Sequence, residues 1–271
     1  MILDVIDPDR TPDLSEFDRG VLTLYSLAVT NRNQLARITG WGPHKIDSTL
    51  KRLRKREKEP GEWLIGWQPG RREAYAYTLG PSAIRYAREA RREFVGDDDP
   101  RTVGAQWRHY LTTNEILVRL LESDLRGELE AWHGTRESGA WFFHETNGLG
   151  LDPDTVPHLK PDAVLEVGGE TFAIEADMAT IPTPRMRARF SKYLTLAELL
   201  PSMPDLLFVV PTEQRRRQLA KALNRVVEEA PSPPRVRDGW SVSFLLIGEV
   251  IPFLRDWLKL SASESRHIHA L

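Results

Sequence analysis

The chain has 271 residues, and its 37 Lys and Arg are balanced by 39 Asp and Glu, which gives a formal net charge of -2. Because the chain as a whole does not attract polyanions, any contact with nucleic acid must be a local basic patch. The sequence has no cysteine, which excludes disulfides, thiolate metal sites and cysteine nucleophiles, and the lack of a signal peptide or a membrane-length apolar run predicts a cytoplasmic protein with no membrane partner.

The first part of the sequence, residues 1–95, predicts a winged helix-turn-helix domain. The inner face of its first helix is formed by Phe17, Val21, Leu24, Tyr25 and Ala28. A second helix starts with Thr30 or Asn31 as its N-cap and ends at Gly40. The third helix is the expected recognition helix, and its inward residues are Ile46, Leu50 and Leu53.

Two short strands follow the recognition helix, over residues 63–67 and 73–78. They predict a β-hairpin with a basic turn over residues 69–72, which would be the wing. A helix over residues 82–94 closes this unit.

The predicted DNA contacts lie on the recognition helix and on the tip of the hairpin. The cations of these two elements are Lys51, Arg52, Arg54, Lys55, Arg56, Arg71 and Arg72. On DNA phosphates such side chains add salt-dependent affinity without sequence preference. Outward side chains nearer the start of the helix would read bases, namely His44, Lys45, Ser48 and Thr49. We therefore expect double-stranded DNA as the partner, and a winged helix that contacts proteins is the alternative.

A linker over residues 96–104 is expected between this unit and a second domain over residues 105–271. The predicted elements of the second domain are a helix over 105–122, a short aromatic strand over 141–143, a strand over 205–210, a helix over 213–229 and a last strand over 240–247 with a short helix after it. Strands and helices that alternate in this way predict an α/β (α+β) fold, with a mixed sheet flanked by helices.

Two apolar runs, residues 163–167 and 171–176, are joined by a Gly-Gly pair and predict a tight hairpin in the middle of this domain. Its register places Asp162 opposite Glu175 and Lys160 opposite Asp177. Since side chains alternate along a strand, these four should share one face of the sheet. The other face would point into a core through Ala163, Leu165, Val167, Phe172, Ile174 and Ala176.

Three carboxylates at this spacing repel one another by about 3 kcal/mol per pair, at roughly 5 Å and an effective dielectric near 20. The arrangement is tolerable if a divalent cation or a basic side chain such as Lys160 lies among them. The next helix presents Arg185, Arg189 and Lys192 on one face, which would lie near the carboxylates or near phosphates. A solvated sheet face with ordinary charges is the alternative.

The strings Lys160-Pro161-Asp162 and Glu175-Ala176-Asp177 resemble the metal-binding signature of the PD-(D/E)xK nuclease superfamily. The resemblance implies that Asp162 and Glu175 hold Mg²⁺ or Mn²⁺, with Asp177 as a further ligand or as a group that orients water. Asp177 departs from the pattern, because it stands where the superfamily has its Lys. Lys160 or Lys192 would then supply the cation that steadies the phosphate.

The predicted winged helix is followed in the chain by a set of short motifs, namely the helix from His109 to Asn114, Pro161-Asp162, Glu175-Ala-Asp177, Lys192-Tyr193 and the stretch from Leu207 to Thr212. In this order and spacing they resemble the replication-relaxation proteins of plasmids and integrative elements. This resemblance implies a winged helix joined to a divergent nuclease-like domain, and a role on mobile-element DNA in replication or conjugative transfer. The implied partners are duplex DNA, relaxosome or replication proteins and a second copy of the chain.

Two functions follow from this resemblance. In the first, the protein is a metal-dependent nickase or relaxase that cuts at an origin and uses Asp162, Glu175, Asp177 and Lys160 or Lys192. In the second, it is a non-catalytic DNA-binding regulator or relaxosome accessory protein with a degenerate nuclease fold, which Asp177 in place of Lys favours. The sequence leaves open whether Tyr193 takes part in covalent strand transfer.

Overall fold

The computed structural model describes residues 2–7, 9–91, 106–148, 150, 157, 159–200, 202–230 and 240–268. The expected linker over residues 96–104 lies outside this range, so the boundary between the two predicted domains stays a prediction. Within the described range, no helix is both long enough and apolar enough to cross a lipid bilayer.

The N-terminal unit combines helices with a small antiparallel sheet. Its elements are α1 (Ile2–Ile6), α2 (Glu16–Leu27), β1 (Val29–Asn31), α3 (Arg32–Thr39), α4 (Pro43–Arg54), β2 (Leu64–Trp67), β3 (Ala76–Leu79) and α5 (Pro81–Arg91). The sheet has the strand order β1-β3-β2. Asn31 caps α3 by accepting a hydrogen bond from the Gln34 N–H at 2.9 Å, and Gly40 ends α3 with a left-handed φ of 70°. The predicted succession of helices and hairpin is confirmed.

The second unit is a five-stranded mixed sheet with helices on both faces. Its elements are α6 (Trp107–Glu122), β4 (Leu129–His133), α7 (Thr135–Gly148), β5 (Ala163–Val167), β6 (Glu170–Ala176), α8 (Thr183–Leu199), β7 (Asp205–Val210), α9 (Glu213–Glu228), β8 (Val242–Leu246) and α10 (Val250–Ile268). The strand order is β4-β5-β6-β7-β8. The pairs β4–β5 and β5–β6 are antiparallel, whereas β6–β7 and β7–β8 are parallel. The expected α/β class with a mixed sheet is confirmed.

The predicted aromatic strand over residues 141–143 is wrong, because these residues lie inside α7. The start of α7 is fixed by Glu137, whose carboxylate accepts the Gly134 N–H at 3.1 Å. The helix buries Phe142 and leaves Phe143 51% exposed. The strand that precedes the hairpin is β4, which the sequence reasoning did not identify. The last helix, expected to be short, has 19 residues.

The predicted hairpin of β5 and β6 is confirmed with its register, since Leu165 pairs with Phe172 and Val167 with Glu170. Gly168 and Gly169 form the turn with φ values of 57° and 79°, which favour glycine. The apolar face joins one hydrophobic cluster through Ala163, Leu165, Val167, Phe172 and Ile174. The opposite face is also covered, because its residues pack in a second cluster with α8 and α9. The face that carries the carboxylates is therefore not a solvated one.

The two units pack against each other through a shared core. Leu24 of α2, Leu117 of α6 and Leu165 of β5 belong to the same hydrophobic cluster. The buried Asn114 amide of α6 donates hydrogen bonds to the Leu27 and Val29 carbonyls at 3.1 and 2.7 Å. These contacts fix the orientation of the N-terminal unit relative to the five-stranded sheet.

Candidate functional site

A cavity of about 540 Å³ opens where β6 ends and α6 begins. It brings together four of the predicted catalytic residues, Lys160, Asp162, Glu175 and Asp177. We call it the carboxylate cavity. Its wall also includes Trp107, Arg108, His109, Met178 and Arg189. Lys192, the fifth predicted residue, is exposed on α8 and is not among the described residues that line the cavity.

Asp177 is held by an arginine from α9. The Arg215 Nε donates to Asp177 Oδ2 at 2.5 Å, and its Nη2 donates to Asp177 Oδ1 at 3.0 Å. The same Nη2 donates to the Ile181 carbonyl at 2.8 Å. The side chains of Arg215 and Asp177 are 8% and 2% exposed. Asp177 is therefore one half of a buried, bidentate ion pair that ties the end of β6 to α9.

Glu175 has a second arginine as its partner. The Arg189 Nε donates to Glu175 Oε1 at 2.8 Å, and its Nη2 donates to the same oxygen and to the Lys160 carbonyl, the latter at 3.0 Å. The Tyr193 hydroxyl also donates to Glu175 Oε1. Burial raises the pKa of Glu175 to about 7, against the opposing charge of Arg189.

Tyr193 is a buried hydrogen-bond donor in this arrangement. Its side chain is 1% exposed, and burial raises the pKa of its hydroxyl well above the ordinary value for tyrosine. A nucleophile for strand transfer must be reached by a phosphate and must give up its proton. Tyr193 as it stands positions Glu175 instead.

Asp162 lies beside a histidine that the sequence reasoning did not select as a site residue. Asp162 Oδ2 accepts the Ala176 N–H at 2.8 Å, and His109 Nδ1 lies 3.9 Å from the same oxygen. The nearby Asp162 carboxylate raises the pKa of His109, and burial opposes this shift. The sequence feature that could have identified His109 is the motif from His109 to Asn114. Its first residue lines the cavity, and its last residue connects the two units.

The residues as arranged do not fit a divalent cation. Among the described residues, no group of three or more His, Asp or Glu is placed to hold a metal ion. Mg²⁺ and Mn²⁺ need several oxygen ligands with accessible lone pairs. Instead, Asp162, Glu175 and Asp177 each contact a basic partner, which is His109, Arg189 and Arg215 respectively.

A strained alanine lies in the segment that follows β6, between residues that line the cavity. Ala179 has a φ of 58°, in the left-handed region, and lies in the segment between Asp177 and Thr180, both of which line the cavity. For a residue with a Cβ this conformation is unfavourable by roughly 1 kcal/mol. Strained residues of this kind cluster at functional sites.

The cations predicted to contact DNA lie on two elements, the end of α4 and the turn between β2 and β3. The exposed cations there, which we call the basic surface, are Lys51, Arg52, Arg54, Lys55, Arg56, Arg71 and Arg72. Arg52 and Arg56 lie over the Phe17 ring, with their guanidinium carbons 5.4 and 4.1 Å from its centroid. These stacking contacts hold both cations while leaving them exposed.

The start of α4 differs in part from the expectation. His44 is exposed, and Ser48 is half-buried with its hydroxyl donating to the Lys45 carbonyl at 3.0 Å. Lys45 forms an ion pair with Glu16 at 3.0 Å. The outward orientation expected for Thr49 is wrong, because Thr49 is 7% exposed. Its methyl group would lie 2.6 Å from a Cβ placed on Gly20, so α2 and α4 pack closely there.

Comparison with known proteins gives one family match. A family model described as replication-relaxation matches residues 22–204, about two thirds of the chain. The matched range includes the basic surface and most of the carboxylate cavity. None of the curated proteins compared with the chain matches it.

One solved structure resembles the chain weakly, the crystal structure of protein VC1899 from Vibrio cholerae. The two are 13% identical with a TM-score of 0.35, and the match covers 90% of this chain and 52% of that one. The chain thus spans about half the length of that protein. A likeness this weak supports neither a fold nor a function.

Proposed function

We propose, from the fact that this chain belongs to the replication-relaxation family, that it binds duplex DNA through the basic surface and acts there without cutting it. Membership gives the chain a role in the replication or relaxation of plasmid or mobile-element DNA. To this role we add two statements: the basic surface contacts the DNA, and the protein does not hydrolyse it. Further partners, a second copy of the chain or other replication proteins, stay predictions.

The observation that carries DNA binding is the concentration of exposed cations on the basic surface. The chain as a whole has a net charge of -2, so this concentration is a local feature. Two separate elements contribute to it, the end of α4 and the turn after β2, as two contacts on one duplex require. Arginine and lysine on phosphates release counterions, and the resulting affinity falls steeply with salt.

The absence of cutting is supported by the pairing inside the carboxylate cavity. Phosphodiester hydrolysis requires cationic groups that can stabilise charge developing on the phosphate. Arg215, with its side chain 8% exposed, is bound to Asp177 and to the Ile181 carbonyl. Arg189 is bound to Glu175 and to the Lys160 carbonyl. Both guanidinium groups are therefore occupied by the protein itself.

DNA binding is tested by fluorescence anisotropy with a labelled duplex from the element's own origin, over a series of salt concentrations. We expect Arg71→Ala/Arg72→Ala to weaken binding about tenfold or more and to reduce the salt slope by about 2, since each phosphate contact contributes roughly 0.9. The matched control is Arg217→Ala/Arg225→Ala, which removes two exposed arginines from α9. Equal weakening by the control, or no weakening by the first variant, would contradict the proposal.

A second candidate function is metal-dependent nicking. It is favoured by one observation, that Lys160, Asp162, Glu175 and Asp177 line the same cavity. The experiment is nicking of supercoiled plasmid with Mg²⁺ or Mn²⁺ by the wild type, Asp162→Ala and Glu175→Ala. Nicking by the wild type that both variants lose would establish this candidate. Retained DNA binding without nicking by any of the three proteins supports the first.

A further inference from the structure

The arginines that bind Asp177 and Glu175 differ in how deeply they are buried. Arg215 uses Nε and Nη2 on the two oxygens of Asp177, and the side chains of the pair are 8% and 2% exposed. Its third contact, with the Ile181 carbonyl, anchors the segment that follows β6. This pair is part of the packing between the sheet and α9.

Arg189 is placed differently, because it lines the cavity and its side chain is 29% exposed. Both nitrogens that bind Glu175 are directed at one oxygen, Oε1, which also accepts the Tyr193 hydroxyl. Three donors occupy the lone pairs of Oε1, so only Oε2 would be left to a metal ion. Among the described residues, no hydrogen bond is made to Glu175 Oε2.

Electrostatics at this position oppose a second cation. A divalent ion bound to Glu175 would lie within a few ångströms of the Arg189 guanidinium, and the two positive charges would repel each other in a partly desolvated site. The carboxylate needs only one compensating charge, and Arg189 supplies it through two N–H donors. Binding a metal would require Arg189 to leave.

We infer that Arg189 and Arg215 take the place of the divalent cation in this chain, and that Arg189 is the side chain that excludes the cation from Glu175. In the nuclease superfamily that these strings resemble, the carboxylates at the places of Asp162 and Glu175 hold the metal. Here Glu175 binds Arg189 of α8, and Asp177, which stands where the superfamily has its Lys, binds Arg215 of α9. The inference bears on the non-cutting part of the proposed function and is independent of DNA binding by the basic surface.

The test is direct binding of Mn²⁺ to the full chain without DNA, followed by electron paramagnetic resonance of the free ion and by thermal unfolding. A ligand that binds only the folded state raises the melting temperature with its concentration. With the wild type we expect no decrease in the signal of free Mn²⁺ and no rise in the melting temperature. Arg189→Gln should gain Mn²⁺ binding at least about tenfold tighter than the wild type, because the repulsion and the competing donors are gone. Adding Glu175→Gln should remove that binding.

The matched control is Arg187→Gln, which removes an arginine from the same helix that pairs with Glu229 outside the carboxylate cavity. It should behave as the wild type does. Wild-type binding of Mn²⁺ that Glu175→Gln abolishes would overturn the inference, as would Arg189→Gln binding no better than the wild type. Should Arg189→Gln fail to fold, Arg189→Met keeps the aliphatic length of the side chain, and the wild-type measurement alone still decides whether the cation is excluded. None of these outcomes alters the DNA-binding test.

Discussion

The basic surface and the carboxylate cavity are both rich in charge, but their charges are satisfied in different ways. The cations of α4 and the following hairpin are exposed, whereas each of the three cavity carboxylates contacts a basic partner inside the protein. Exposed charges contribute little to stability and are available to a polyanion. Buried pairs are strongly destabilising when one partner is removed. Substitutions in the two regions should therefore affect different properties, binding in one and folding in the other.

The largest effect is expected for Arg215→Ala. It would leave Asp177 buried without its cation, which destabilises the fold by about 3–5 kcal/mol. The free energy of unfolding in urea measures this effect. The control is Arg217→Ala, two positions along the same helix, whose side chain is 80% exposed, and it should change stability by less than about 0.5 kcal/mol. A tolerated Arg215→Ala would mean that the buried pair is not structural.

The second prediction concerns pH and Glu175. Its pKa in the fold is raised to about 7 by burial, so the folded state holds a proton that the unfolded state releases near pH 4.5. The wild type should therefore lose stability as pH rises from about 4.5 to 7, by on the order of 3 kcal/mol relative to Glu175→Gln. Paired urea titrations of the two proteins across this range measure the difference.

His109 acts in the same direction, because the nearby Asp162 carboxylate raises its pKa. The stability that protonated His109 contributes is present below its unfolded pKa and is lost as pH rises through the folded pKa. His109→Gln should flatten the pH dependence of stability at the upper end of the range, whereas Glu175→Gln flattens the lower part.

The Glu175 prediction has its own contrary outcome. A difference in the free energy of unfolding between wild type and Glu175→Gln that stays constant with pH would show that Glu175 is ionised throughout.

The parts of the fold that the sequence predicted correctly are set by local chemistry. Gly168 and Gly169 determine the register of the β5–β6 hairpin because both take a positive φ. Asn31 and Gly40 mark the ends of α3 in the same local way. Residues 141–143 were wrongly predicted as a strand because aromatic side chains favour strands. In the structure they belong to a helix whose start is capped by Glu137.

The pairing inside the cavity depends on tertiary structure. Glu175 and Arg189 are 14 residues apart, and Asp177 and Arg215 are 38 residues apart. Apolar periodicity located α8 and α9, but it does not set how each helix is rotated over the sheet. For the same reason Thr49 was expected to face outward, although close packing at Gly20 buries it.

The third prediction concerns Asn114, which connects the two regions. Asn114→Ala removes two hydrogen bonds and leaves the buried Leu27 and Val29 carbonyls without them, so it should destabilise the fold by about 2 kcal/mol. The measurement is again unfolding in urea, with the exposed Asn33→Ala as control. If Asn114→Ala also weakens DNA binding at temperatures where the variant is folded, then the hydrogen bonds of Asn114 between the two units orient the basic surface for DNA binding.

The smallest effect is expected at Ala179, whose φ of 58° is unfavourable for alanine. Ala179→Gly relieves this strain but makes the unfolded chain more flexible, so a net stabilisation of about 0.5 kcal/mol is expected. Ala188→Gly is the matched control, since Ala188 is exposed within α8 and the same change there should destabilise by about 1 kcal/mol. Opposite effects of the same substitution on stability would show that Ala179 is strained in the folded protein. Because strain is retained where the surroundings demand it, Ala179→Gly should loosen the segment that Arg215 anchors at Ile181.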